Sequence, residues 1–174
     1  KDGYNRLSLL AEDPDLLKPV DPARIATWQR TAGKAMKPLQ KYTMENKVKW
    51  CVVGVACPAW AKAVFPELPA EEGMRKLWDN IFAATRADLD DPVQAWKGHD
   101  ASLKARKNFL NEARFDYVHY QGPGTDLKVH LVPDHIWEGG SSRSEAGEVF
   151  MPNIPTEEIF SMPHADRVDG TLRA

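Results

Sequence analysis

Hydrophobic positions along this chain follow two different rhythms. Up to about residue 113 they recur every three or four places, interrupted by one continuous apolar run, and after Arg114 they alternate. The continuous run, VKWCVVGVA (Val48 to Ala56), is rich in β-branched residues, which predicts a strand covered on both faces in a parallel sheet. YNRLSLLA (Tyr4 to Ala11) is a weaker segment that fits either a strand or a short helix. Asp21-Pro22 reads as a helix cap followed by proline at the first helical position. Behind it Ile25, Trp28, Ala32, Ala35 and Leu39 recur at helical spacing, and Pro38 is expected to bend or end that helix. From Pro69 a second stripe runs through Met74, Leu77, Trp78, Ile81, Phe82 and Thr85, with Glu71 and Glu72 placed to complement the helix dipole. Asp91-Pro92 repeats the start signal, and Val93, Trp96, Leu103 and Leu110 carry a third stripe to about Ala113.

The second rhythm has period two. In TDLKVHLV, Leu127, Val129 and Leu131 point one way while Asp126, Lys128 and His130 point the other. QGPG (Gln121 to Gly124) separates this segment from FDYVHY as a turn. EGGSS, PNIP and a last strand-like piece, RVDGTLRA, follow. The pattern predicts an α/β fold, with helices packed on a largely parallel sheet and then an antiparallel β-rich portion. We expect the division at 1–114 and 115–174, with the boundary falling between residues 113 and 122. Repeats and low-complexity tracts are absent from the sequence. The chain opens within an apparent element and VDGTLRA stops where a strand would be starting, so it reads as an internal piece of a longer protein.

Composition narrows the function classes. Of 174 residues, 43% are hydrophobic and 28% charged, enough to bury a core, and the net charge of -2 offers no basic surface for nucleic acid or an anionic membrane. No apolar run approaches bilayer length, and KDGYNRLSLLAEDPDLL carries acids too early for a secretory signal. Six tryptophans argue for bulky core packing. Cys51 and Cys57, six positions apart, read as buried thiols in a reducing compartment before they read as a redox or metal pair.

The candidate chemistry centres on MPNIPTEEIFSMP, where prolines and apolar residues hem in Glu157 and Glu158. One reading starts a helix at Pro155-Thr156, with Thr156 as cap and the acids complementing the dipole. The other has one carboxylate bind a divalent metal, its direction set by the proline-restricted backbone. Adjacent residues point in different directions, so one glutamate can serve a site while the other pairs elsewhere. His130 and His135 with Asp126 and Glu138 could assemble a site, although scattered surface histidines are the plainer reading. Gly122 and Gly124 form a lone G-x-G better explained by a hairpin than by phosphate binding. Ser141 and Ser142 lack a nucleophile elbow. Trp137, beside Gly139 and Gly140, is placed to line a cleft.

Several of these elements together carry a resemblance. GPGTDLKVHLVPDHIWEGG and GEVFMPNIPTEEIFSMPHADRVDGTLRA resemble the thermophilic-type metallo-aminopeptidases, the aminopeptidase T, aminopeptidase S and PepS group. AEDPDLLKPVDPARIATWQ, PAWAKAVFPELP, KLWDNIF and DPVQAWKGHDASLKARKNFLN extend the likeness over nearly the whole chain. The resemblance implies a cytoplasmic enzyme that removes N-terminal residues from peptide substrates, using two divalent metal ions (zinc, cobalt or magnesium) and associating as a homodimer. It implies that residues 115–174 begin the catalytic region and that Glu158, less so Glu157, is a metal ligand. Asp126 and Trp137 then become residues that line the cleft or support the ligand. The family's other ligands, in LGE, ENA-x-x-H and His-x-Asp elements, are not in this sequence, so the chain alone is expected to be inactive and to hold no metal tightly. Two rivals stand beside this reading: a non-catalytic α/β binding or dimerisation module, and an unrelated doubly wound protein binding a small ligand at its strand ends.

Overall fold

A computed structural model describes residues 4–173. By proximity the chain forms two compact units, and each is described by itself. The first comprises the described residues up to Trp96 with Ser141–Thr156; the second comprises Lys97–Gly140 with the described residues from Glu157 onward. This division by proximity is distinct from the change of secondary-structure character expected at 114/115.

In the first unit, strands β1 (Arg6–Leu10) and β2 (Trp50–Gly54) pair in parallel from Arg6↔Trp50 to Leu10↔Gly54. Parallel neighbours need a long crossover, and helix α1 (Pro22–Met44) lies between them in sequence. The apolar run is therefore a strand, and the ambiguous Tyr4–Ala11 segment contains one too. Asp21 Oδ1 accepts from the Ala23 amide at 2.8 Å, capping α1 as its sequence predicts. Of the two outcomes expected at Pro38, a bend or an end, the helix does not end there: α1 runs on to Met44. The surrounding stretch is exposed, so the carbonyl that proline deprives of a helical donor faces water. One correction concerns Trp28, which is 67% exposed: the apolar stripe of α1 is only partly covered among the described residues, with Ile25 and Ala32 half-buried and none of its residues fully buried. The other five tryptophans are half-buried.

Helices α2 (Pro58–Val64) and α3 (Ala70–Ala84) enclose this unit's core. Ala56, Ala61 and Leu77 are buried there, with Trp60, Phe65, Met74, Trp78 and Ile81 packed around them. The acids Glu71 and Glu72 lie in the first turn of α3, as the dipole favours. Helix α4 spans Pro92–Ala113, and Asp91 Oδ1 accepts from the Gln94 amide at 2.9 Å at its start.

In the second unit β3 (Tyr117–Gly122) and β4 (Thr125–Leu131) form the expected hairpin, closed by the pair Gly122↔Thr125. Two short antiparallel ribbons come next. One joins β5 (Glu138–Gly139) to β9 (Ile159–Phe160) in the second unit, and the other joins β6 (Ser142–Arg143) to β7 (Val149–Phe150) in the first. The first unit also takes in β8 (Asn153–Ile154), which adds to β2 in parallel and makes the sheet order β1-β2-β8. Finally β10 (Pro163–Leu172) pairs with β4, so the antiparallel sheet has the order β10-β4-β3. The last residue of RVDGTLRA lies outside the described residues. The architecture is mixed α/β, with a parallel sheet and an antiparallel one.

Candidate functional site

The acidic pair is not at a helix start. Residues 155–158 are irregular and lead directly into β9, so the capping reading of Thr156 is overturned. A long-range ladder takes precedence over the local cap signal: Ile159 pairs with Gly139 and Phe160 with Glu138. This pairing brings the W-E-G-G stretch and the T-E-E stretch side by side. Their approach is close enough that a Cβ built on Gly139 would lie 2.5 Å from the carbonyl oxygen of Glu158. Gly140, at φ +73°, leaves similar room, since its Cβ would meet Asp100 Oδ1 at 2.6 Å and Leu103 at 3.5 Å.

Both carboxylates are exposed, yet their surroundings differ. Glu157 Oε2 lies 3.2 Å from His99 Nε2, and the His99 side chain is only 14% exposed. The Glu158 carboxylate has no hydrogen bond or ion pair among the described residues. Helix α4 supplies further contacts to the ribbon. Lys107 Nζ donates to Glu138 Oε2 at 3.1 Å. The Asn111 amide accepts from the Trp137 backbone N–H at 2.8 Å and donates to the Trp137 carbonyl at 3.0 Å. Leu103, 1% exposed, anchors the same helix face.

The remaining candidates are dispersed. Trp137 lines a cleft of about 500 Å³ with Leu110, Phe115, Tyr117 and Val118, and its ring meets His135 edge-on. Asp126 sits on β4 with its carboxylate 2.6 Å from His119 Nε2, and no contact joins it to Glu158 among the described residues. His130 Nδ1 lies 2.8 Å from Asp116 and also faces Arg167, while His135 Nδ1 donates to the Val132 carbonyl. His130, His135, Asp126 and Glu138 thus do not converge, and no group of three potential metal ligands occurs among the described residues. Cys51 and Cys57 are free, and burial pushes the Cys51 thiol up. Sequence reasoning missed His99, Lys107 and Asn111. The available signal was their spacing of four, which places them in register with Leu103 on α4.

Fold and site together define a mixed α/β protein with an exposed carboxylate pair directly before a short β-ribbon. The family model described as thermophilic metalloprotease (M29) matches residues 1–174, and the chain belongs to that family. It is 45% identical over 173 residues to aminopeptidase T of Thermus aquaticus, covering 99% of this chain and 42% of that protein. It is also 45% identical over 172 residues to aminopeptidase AmpS of Bacillus subtilis, again covering 99% of this chain and 42% of the relative. Wild-type AmpT from Thermus thermophilus superposes with a TM-score of 0.88 at 40% identity, over 97% of this chain and 41% of that one. The chain therefore spans about two fifths of the length of these relatives.

Membership in a metalloprotease family raises the question of metal. Glu158 suits the role of a single hard oxygen ligand, being exposed and unpartnered among the described residues. Glu157 is engaged by His99. One carboxylate does not make up a centre, and the described residues add no cluster to complete it.

Proposed function

We propose that the protein to which this chain contributes is a metal-dependent aminopeptidase acting on peptides. The observation that carries this reading is the Glu158 carboxylate, without a partner among the described residues and directly before a ribbon built from two of the recognised motifs, in a chain of the M29 family. In this reading Glu158 is one ligand of a site for two divalent ions, zinc, cobalt or magnesium, and the other ligands come from outside the described residues. Such ions supply a polarised scissile carbonyl and a water of lowered pKa. The chain's own contribution is to hold Glu158 in place. Glu157 pairs with His99 beside it, and Trp137 offers an apolar wall to a substrate side chain. Asp126, tied to His119, stands further from the chemistry. The same reading makes the enzyme a cytoplasmic homodimer and leaves the isolated 174 residues inactive.

The full-length protein is expected to hydrolyse aminoacyl-p-nitroanilides and to lose that activity with a chelator. Activity indifferent to chelator, or none with any divalent ion, would count against the reading. A second role, assembly, is favoured by the exposed apolar stripe of α1 with Trp28 at its centre. It would appear as an oligomer that falls to a smaller species when Trp28 and Leu39 are replaced by polar residues.

A further inference from the structure

We propose that one ridge of α4 is a positioning device that decides which of the two adjacent glutamates is presented. The inference rests on the aminopeptidase reading for what Glu158 does, but not for how it is held. Residues His99, Leu103, Lys107 and Asn111 recur at intervals of four and so form a single i±4n ridge. Each touches a different residue of the β5–β9 region, in order along the helix. Asn111 takes the backbone of Trp137, Lys107 the carboxylate of Glu138, Leu103 the space beside Gly140, and His99 the carboxylate of Glu157.

The ribbon needs that support. It pairs only two residues from each strand, and isolated two-stranded pairings are marginal in water even when longer. Asn111 extends it chemically, because its side-chain amide satisfies both the N–H and the C=O of Trp137, the work a neighbouring strand would do. Lys107 and His99 act from partly desolvated positions, their side chains 19% and 14% exposed, on carboxylates that are 51% and 64% exposed, so solvent screens these contacts in part. At the far end His99 draws Glu157 towards the helix. Its neighbour Glu158, in the same irregular stretch, keeps its carboxylate exposed and free of intramolecular partners among the described residues. Asn111, Lys107 and His99 are thus positioning residues. They act through the ribbon.

Plain helix packing is the competing account, and under it the polar identity of these side chains is immaterial. Three variants of the full-length protein separate the two: Asn111→Ala, His99→Ala and His99→Gln, the last keeping a donor within reach of Glu157. Hydrogen exchange read by mass spectrometry over 137–140 and 157–160 should accelerate on the order of tenfold in both alanine variants, the size expected for losing one part-buried hydrogen bond or ion pair. Exchange in the β3–β4 hairpin should stay at its wild-type rate. On an aminoacyl-p-nitroanilide, kcat should fall while KM stays within about twofold, because positioning rather than substrate binding is disturbed. His99→Gln should recover both quantities. Wild-type exchange across the ribbon in His99→Ala and Asn111→Ala, or a His99→Gln protein no better than His99→Ala, would overturn the proposal. If the wild-type protein has no aminopeptidase activity, the exchange measurement still decides the ridge, so failure of the functional reading and failure of this inference are told apart.

Discussion

Replacing Gly139 with alanine should open the β5–β9 ribbon without unfolding the protein, and the structure sets the size of the effect. Gly139 adopts φ +156°, a region that L side chains rarely enter, and holding alanine there costs roughly 1–3 kcal/mol. The added Cβ would also stand 2.5 Å from the Glu158 carbonyl oxygen and 3.2 Å from the Ile159 Cα, whereas ordinary contact begins at 3.4 Å. Both neighbours are backbone, so no flexible side chain can move aside. The strand carrying Glu158 must retreat by most of an ångström, or the pairing must break. With each backbone hydrogen bond worth about 1 kcal/mol net, opening the ribbon is the cheaper route, and the total cost is about 2–4 kcal/mol. Exchange of the amides in 137–140 and 157–160 should therefore rise about 30- to 1,000-fold, since each 1.4 kcal/mol is a factor of ten. The thermal midpoint should move much less, because the parallel sheet and the core around Leu77 contain none of the ribbon's residues. Exchange within about threefold of wild type would mean that the close register of Gly139 against Glu158 is wrong.

Other consequences can be measured in the full-length protein. Glu158→Gln should lower its bound zinc, while Glu157→Gln, whose carboxylate pairs with His99, should lower it less; equal stoichiometry in the two variants would remove the ligand assignment. Leu103→Ala deletes a side chain only 1% exposed and should cost about 2–5 kcal/mol in urea unfolding, and a cost below about 1 kcal/mol would show that the α4 ridge is not anchored there. Cys51 is held neutral by burial, so its contribution to stability is complete below the ordinary thiol range and fades as pH rises through the raised value. Iodoacetamide at pH 8 should accordingly modify Cys51 more slowly in the folded protein than after denaturation, and equal rates would contradict the burial.

What could be read from the sequence was whatever local chemistry determines. Three long helices announced themselves through caps and periodicity, because Asp21, Asp91 and the apolar stripes act within a few residues of one another. The hairpin was legible for the same reason, with a Pro-Gly turn between two alternating strands. Partners distant in sequence were not legible. The two-residue strands β8, β5 and β9, which pair β8 with β2 and Gly139 with Ile159, carry no strand signal in their own sequences. PTEE suggested a helix start because Thr156 and the acids satisfy every local rule for one, and only the ladder to Glu138–Gly139 overrides them. Helix α2 is seven residues long and bounded by prolines, too short for a period to emerge. Trp28 shows the opposite limit, for periodicity says which side of a helix is apolar but not whether this stretch of chain supplies its cover. The acidic pair itself was singled out from sequence. Its holders on α4 were not, because His99, Lys107 and Asn111 look like ordinary solvated residues until the ribbon is laid against them.

The spacing of those holders has a consequence for how this part of the chain can change over time. Successive residues of an α-helix are rotated by about 100°, so deleting a single residue between His99 and Asn111 would swing one half of the row away from the other. Substitutions can be absorbed one contact at a time, whereas a change of length in this stretch would break the alignment at a stroke. The thirteen residues from His99 to Asn111 therefore behave like a ruler, free to vary in many of their marks but not in the distance between them.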